Sequence, residues 1–357
     1  MPAGRFVIAL DGMGGDHAPD SVLGALEFAV VKYPHVDFLL FGDEAQLAPR
    51  IAAQPVFAGR VTVRHCAMSI PGDMKPSVAL RTGKDSSMRK AIDAVASGEA
   101  QAIVSGGNTG ALMAMALFVL RPMPGIDRPA ITSLLPTRKG DVVMLDLGAN
   151  VECDSDHLVQ FAIMGSAFAL SLLGQKKPRI GILNVGSEDT KGKDSVREAA
   201  RILRQEAAHM PWDFIGFVEG NDINSGDVDV VVTDGFTGNI TLKTLEGAGR
   251  LYSDFLKRVF QNGSWLTKIG YLLAKQAFVR LRERLDPRRY NGGVMLGLNG
   301  ICVKSHGGMD AIGFANAIGV AHDLVRHDVN ETIKAELATL SALMMGEQSG
   351  DSPPAAV

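Results

Sequence analysis

The stretch that most constrains this chain is Val228–Gly249, VDVVVTDGFTGNITLKTLEGAG. Its β-branched run, Val228–Thr233, predicts a strand covered on both faces, as in a parallel sheet. A glycine loop, Asp234–Asn239, follows, and a helix is expected to open near Ile240. Gly235 and Gly238 allow backbone approaches that a Cβ would block. Free N–H groups at the positive end of a helix make an anion the expected guest. Ala102–Leu117, AIVSGGNTGALMAMAL, repeats the design. Aligning Ser105 with Thr233 pairs Gly107 with Gly235, Thr109 with Thr237 and Gly110 with Gly238. Two such units predict a cleft lined by two anion-binding loops.

The rest of the chain keeps the same rhythm. Further strands are expected at Phe6–Leu10, Asp37–Gly42, Val61–His65, Ala130–Leu135, Val142–Asp146, Arg179–Asn184, Phe214–Val218 and Gly300–Lys304. Amphipathic segments such as Ser86–Ser97 and Ser195–Ala207 lie between them. This alternation signals an α/β fold with a largely parallel sheet. Six polar glycine loops follow strands: Asp11–Asp16, Ser105–Gly110, Asp146–Asn150, Asn184–Gly192, Asp234–Asn239 and Ser305–Gly308. Ligands of open α/β sheets bind beyond the carboxyl ends of strands, so all six are expected on one active edge.

Composition narrows the function. A formal net charge of −3 over 357 residues argues against a nucleic-acid binder. Cys66, Cys153 and Cys302 form neither a disulfide framework nor a zinc spacing, which predicts a reducing cytoplasm. No signal-peptide pattern opens the chain. The mostly apolar Phe161–Gly174 is expected to be a buried helix, too short to span a bilayer.

The pattern breaks between Leu245 and Arg289. Helical stretches Leu245–Gln261 and Trp265–Leu285, joined by Asn262–Ser264, predict a projecting αα-hairpin over 245–289. Residues 264–289 carry seven Lys/Arg against two Asp/Glu, and Trp265, Ile269, Leu272, Leu273 and Leu281 share the helical spacing. A basic helix with an apolar face can lie in a lipid headgroup layer. Core or dimer packing explains the same stripe. Residues 346–357 read as a disordered tail after the main unit, 1–345.

Several loops carry candidate chemistry. Gly12–His17 has His17 where a dinucleotide fingerprint needs its third glycine, which counts against nicotinamide binding. Asn184–Lys193 offers Lys191 as a point charge for phosphate, with a solvated surface loop as the plain alternative. His306, just past a strand, is a proton carrier or a structural histidine. Asp146, Asn150 and Asn239 stand at loop entrances, where turn formation is the competing role. His322 and His327 are spaced wrongly for a metal site, and Cys153 reads as a bystander.

Five blocks together resemble a known family: LDGMGGDHAPD (10–20), IVSGGNTGAL (103–112), LDLGANVECDSDHL (145–158), LNVGSEDTKGKD (183–194) and VTDGFTGNITLKTLEGA (232–248). They resemble the bacterial phosphate acyltransferases of phospholipid synthesis over about residues 5–340. The resemblance implies transfer of a long-chain fatty acyl group from acyl carrier protein to inorganic phosphate. It implies an α/β/α fold related to phosphotransacetylases and to isocitrate and isopropylmalate dehydrogenases. It also implies a cytoplasmic homodimer held peripherally at the inner face of the membrane, beside the downstream glycerol-3-phosphate acyltransferase. Neither metal nor nucleotide cofactor is expected.

For such a reaction the expected catalytic residues are Lys191, Asn239, Asp234 and His306. The expected substrate-binding residues are Gly14, Gly15, Asp16, Ser105, Gly106, Gly107, Asn108, Thr109, Gly110, Asp146, Asn150, Asn184, Gly235, Thr237 and Gly238. Trp265, Leu266, Ile269 and Leu272 are the expected membrane contacts. Two other readings stand beside it: a dehydrogenase on a related fold, and a membrane-docked scaffold that binds acyl carrier protein.

Overall fold

The computed structural model describes residues 4–262, 264–284 and 286–350. The elements run β1 (Phe6–Asp11), α1 (Asp20–Lys32), β2 (Val36–Gly42), α2 (Glu44–Ala52), β3 (Val61–His65), α3 (Pro76–Thr82), α4 (Ser87–Ala96), β4 (Ala102–Ser105) and α5 (Thr109–Leu120). Next come β5 (Ala130–Pro136), β6 (Asp141–Leu145), α6 (Ser155–Leu173), β7 (Arg179–Leu183), α7 (Asp194–Glu206), β8 (Asp213–Val218) and β9 (Val230–Val232). The chain ends with α8 (Gly235–Gln261), α9 (Trp265–Arg284), β10 (Gly293–Leu296), β11 (Ile301–Lys304), α10 (Ala311–Arg326) and α11 (Val329–Gly350).

All strands join one 11-stranded, mostly parallel sheet, ordered β3-β2-β1-β4-β11-β10-β5-β6-β9-β7-β8. Its two halves run in opposite senses. Pairing is antiparallel at β11–β10, β10–β5 and β5–β6, and parallel on either side. An odd number of reversals turns β6, β7, β8 and β9 against β1, β2, β3, β4 and β11. The six glycine loops therefore do not share one edge, contrary to the sequence expectation. Those after β1, β4 and β11 open at one end of the strands, and those after β6, β7 and β9 at the other.

The two faces of the sheet are covered differently. Ile8, Leu10, Val104, Val143, Leu145, Val230 and Val303 belong to one continuous core with α1, α6 and α10. Alternate strand residues point to the opposite face, and there the cover is divided. Ala9, Ile103, Met295 and Cys302 pack with α3, α4 and α5, whereas Val142, Met144 and Val231 pack with Leu242 and Leu245 of α8. The two clusters share Ile131, half-buried on β5. By the same alternation Asp11, Ser105, Lys304, Asp146 and Thr233 lie on this divided face.

One helix, α6, is long and apolar enough to cross a membrane, but 67% of its apolar window is buried. Asp154 caps its start by accepting from His157 N at 2.9 Å, and Gly174, at φ 65°, ends it. α8 begins at Gly235, not near Ile240, because the Asp234 side chain caps it and draws the glycine segment into the first turn. α11 continues through Gly350, so residues 346–350 are helical where a tail was expected. A single Gly346 among Met, Glu and Gln costs only about 1 kcal/mol relative to Ala. Residues 351–357 lie outside the described residues.

The hairpin is formed by α8 and α9, with Phe260 and Phe278 edge to face at 4.9 Å. Arg284 reaches Asp141 at 3.2 Å and fastens its base to the β5–β6 turn. Trp265 (69% accessible), Leu266, Ile269 and Leu272 are exposed, as are Leu251, Tyr252 and Phe255 on α8. Gly263, Leu285 and the side chain of Leu281 lie outside the described residues.

Candidate functional site

The first cluster is built on Asp11, the last residue of β1. Its buried carboxylate accepts from Ser87 Oγ at 2.6 Å, Ser105 Oγ at 2.7 Å and Met13 N at 3.4 Å. It thereby joins the start of α4, the end of β4 and the first glycine loop. Burial raises the Asp11 carboxyl pKa, and the two serine hydroxyls and the Met13 N–H oppose that shift. Gly14 has no room for a side chain: a Cβ there would lie 2.3 Å from Asp11 Oδ2 and 2.8 Å from Gly107 N. Asp16 N donates to Gly307 O at 2.9 Å, which brings the third loop against the first.

Asn108 caps α5 with a neutral side chain, accepting from Ala111 N at 2.9 Å. Among the described residues nothing accepts from Thr109 N or Gly110 N. This is a helix N-terminus with free donors and an uncharged cap residue, the arrangement that suits an anion. Lys304 ends β11 beside it. It pairs with Ser105 on one side and with Gly293, which offers no side chain, on the other. Its ammonium donates to Gly106 O at 3.3 Å and to Ser305 O. Burial pushes this lysine down to about 8, opposed by the nearby charges of Asp11 and Asp16. His306 sits one turn further out. Its N–H donates to Asn291 Oδ1 at 2.8 Å, and its Nδ1 accepts from Gly308 N at 3.2 Å.

The second cluster is built on Asp146, which follows β6. Its carboxylate accepts from Ile131 N (2.9 Å), Gly148 N (3.2 Å), Ala149 N (3.1 Å) and Asn150 N (2.7 Å), and from Asn150 Nδ2 (3.0 Å). Those five donors occupy a buried group, so Asp146 and Asn150 hold the loop in shape. Gly235 N donates to Asn150 O at 2.7 Å, and a Cβ on Gly238 would fall 1.9 Å from Asp146 O. The glycines of α8 are there for close approach to the β6 loop. Asp234 accepts from Thr237 N at 2.7 Å and from Lys193 at 3.0 Å. Burial disfavours its charge, but Thr237 and Lys193 outweigh burial and hold the carboxyl below its ordinary range. The α8 terminus thus carries its own anion. Asn239 is exposed on the first turn, beside Gly148.

Lys191 stands outside both clusters, exposed and paired with Glu188 at 2.7 Å. Asn184 shapes this loop, donating to Gly186 O at 3.2 Å and Lys191 O at 3.0 Å. Burial, then Asp146 and Asp234, push the Cys153 thiol up to about 12, which keeps it inert at neutral pH.

Comparison with known proteins bears on this geometry. The family described as "Fatty acid synthesis protein" matches residues 6–332. "Phosphate acyltransferase" of Rhodospirillum centenum is 61% identical over 95% of this chain and 95% of its own. The corresponding protein of Paramagnetospirillum magneticum is 56% identical over 93% and 94%. The chain belongs to the phosphate acyltransferase family. Phosphotransacetylases share the fold of this family member. The one from Streptococcus pyogenes superposes with a TM-score of 0.59 at 16% identity, covering 90% of this chain and 94% of its own. EutD phosphotransacetylase from Staphylococcus aureus gives 0.57 at 16% identity over the same shares.

Of the residues singled out in the sequence, Gly14, Gly15, Asp16, Ser105–Gly110 and His306 come together at the first cluster. Asp146, Asn150, Asp234, Gly235, Thr237, Gly238 and Asn239 come together at the second, with Asn184 and Lys191 on the adjoining loop. β10 and β5 lie between β11 and β6 in the sheet order, which puts those strands roughly 14 Å apart across it. Asp11, Ser87 and Lys304 were missed. The one signal for Lys304 was its parity with Cys302 and its place directly before Ser305-His306.

Proposed function

We propose that the chain transfers a long-chain fatty acyl group from acyl carrier protein to inorganic phosphate, giving an acyl phosphate for phospholipid synthesis. The observation that carries this reading is the likeness to proteins named phosphate acyltransferase along 95% of the chain. The geometry of the two clusters supports it.

Phosphate suits the α5 end, where the cap is neutral and N–H groups are free. The α8 end, with its own carboxylate, suits the uncharged thioester carbonyl. A phosphate oxygen bonds to the carbonyl carbon, and the tetrahedral oxyanion then collapses as the C–S bond breaks. The electron pair leaves on sulfur as thiolate, whose parent pKa of about 8.5 makes it a good leaving group. Asn239 is the proposed donor to the oxyanion, a role commonly worth about 3–4 kcal/mol. Asp234 or His306 orients the thiol or carries its proton. Lys191, on the loop after β7 and outside both clusters, is the proposed further counter-charge to phosphate. Its pair with Glu188 is fully exposed and weak, so phosphate can displace Glu188. The two clusters flank Ile131 on the divided face, so the proposed meeting point of the two substrates is over it.

In this reading the chain works as a cytoplasmic homodimer. The bases of the hairpins pack together and Trp265, Leu266, Ile269 and Leu272 touch an anionic membrane, near the glycerol-3-phosphate acyltransferase that consumes the product. Incubation with long-chain acyl carrier protein and phosphate, without metal or nucleotide, tests the activity. Hydroxylamine should trap an acyl hydroxamate. Folded protein that forms none, or that needs a nicotinamide cofactor, overturns the proposal; binding of the carrier without product indicates a scaffold.

A further inference from the structure

We infer that Lys304 is the cation that holds inorganic phosphate at the α5 end of the site. This rests on the acyl-transfer reading and adds a residue to it. A half-buried lysine at a strand end needs a reason to stay charged. The usual one is a carboxylate in contact, and among the described residues none lies within salt-bridge distance of Lys304. Its two acceptors are the carbonyls of Gly106 and Ser305, which leaves one of three ammonium protons unassigned.

The groups facing it are identifiable. From β1 there is Asp11, whose oxygens are already engaged by Ser87, Ser105 and Met13. From the loop after β1 there is Asp16, lying against Gly307 and Gly308. Cys302 precedes it on its own strand, and His306 follows on the next loop. Asp11 and Asp16 keep the lysine protonated at a distance without consuming its donors. Gly293 across the antiparallel pair puts no side chain of its own beside the lysine, and the nearest side-chain atom to its Cβ position is Ile131 Cγ2 at 3.6 Å. The free N–H groups of Thr109 and Gly110 stand on the same side, one loop away. A dianion in that space gains a charge-assisted bond from Lys304 that the backbone donors alone would not give.

The charge also gives the site a pH signature. With the lysine lowered to about 8, its positive charge is present below that pH and is lost above it. Phosphate is a dianion throughout the upper range, so weakened phosphate binding there comes from the protein. Arginine stays charged across the whole range.

The test is steady-state kinetics of Lys304→Met and Lys304→Arg between pH 7 and 9.5, with thermal melting as the check on folding. Lys304→Met should raise KM for phosphate about ten- to hundredfold and leave KM for the acyl donor unchanged. In the unsubstituted protein KM for phosphate should rise above pH 8, and Lys304→Arg should abolish that rise. A normal phosphate KM in the Met variant overturns the inference, as does a rise confined to the acyl donor. If the Met variant does not fold, the Arg variant decides, and an unaltered alkaline limb overturns it. Calorimetric titration with inorganic phosphate at pH 7 and 9 needs no turnover. Absence of acyl phosphate from the unsubstituted protein would therefore fail the reaction while leaving Lys304 to be judged by binding.

Discussion

Lys193 Nζ lies 3.0 Å from Asp234 Oδ2, so the loop after β7 is moored to the residue that caps α8. Lys191, two positions away, shares the mooring without taking part in it. Lys193→Ala should loosen the loop and lower turnover about two- to fivefold, since exposed pairs contribute about 1 kcal/mol or less. Lys191→Ala, if Lys191 reaches phosphate, should lower it about ten- to hundredfold. Initial rates with both variants check this; equal, small effects would leave Lys191 a surface charge.

Asp234 makes a separate prediction about stability. Asp234→Ala removes the cap of α8 and should cost about 1 kcal/mol. Asp234→Asn keeps most of the cap and loses only the pair with Lys193. Because the folded carboxyl is held below its ordinary value near 4, its contribution is complete above about pH 4 and fades as pH falls through the folded value. Denaturant titrations at pH 7 and pH 3 should show the gap between Asp234→Asn and the parent closing at the lower pH.

Two glycines in α8 should respond oppositely to alanine. A Cβ on Gly238 would overlap Asp146 O, whereas one on Gly247 meets nothing within 4 Å. Gly238→Ala should destabilise by about 1–3 kcal/mol or more and displace the β6 loop. Gly247→Ala should stabilise by about 1 kcal/mol. Urea unfolding of both variants checks this pair of opposite shifts.

The hairpin tip is testable without activity. Leu266→Glu with Ile269→Glu should abolish sedimentation with anionic liposomes, where basic residues contribute about 1 kcal/mol each, and should leave dimerisation intact. A double mutant that still sediments, or that loses its oligomeric state, would assign this stripe to protein packing.

Ten of the strands were legible because each carries a run of apolar or alternating residues bounded by polar turns. β10, Gly293–Leu296, was not. Four residues beside two glycines are too short to show a period; its two reversals cancel, and the antiparallel β5–β6 pair is what sends the glycine loops to opposite ends. The Asp234–Asn239 segment read as a loop because its glycines lower helix propensity. Its helical state depends on the Asp234 cap and on Asp146 O lying where only glycine fits, both facts of tertiary contact. Lys304 was visible as a letter before Ser305-His306. What makes it interesting, partial burial without a carboxylate partner, depends on β11 inserting between β4 and β10, and no local pattern announces that.

That insertion sets an order of events during synthesis. β5–β9 come from one unbroken run of chain, so that half has all its strands once β9 has emerged. The other half is assembled from two pieces, and Lys304 reaches Gly106 across 198 positions of sequence. At the usual 5–20 residues per second, about 10–40 s separate the two. Throughout that interval β4 presents an unpaired edge, and the loop after it lacks its lysine. A nascent chain therefore has no complete anion site, and a fragment ending before Ile301 would never acquire one.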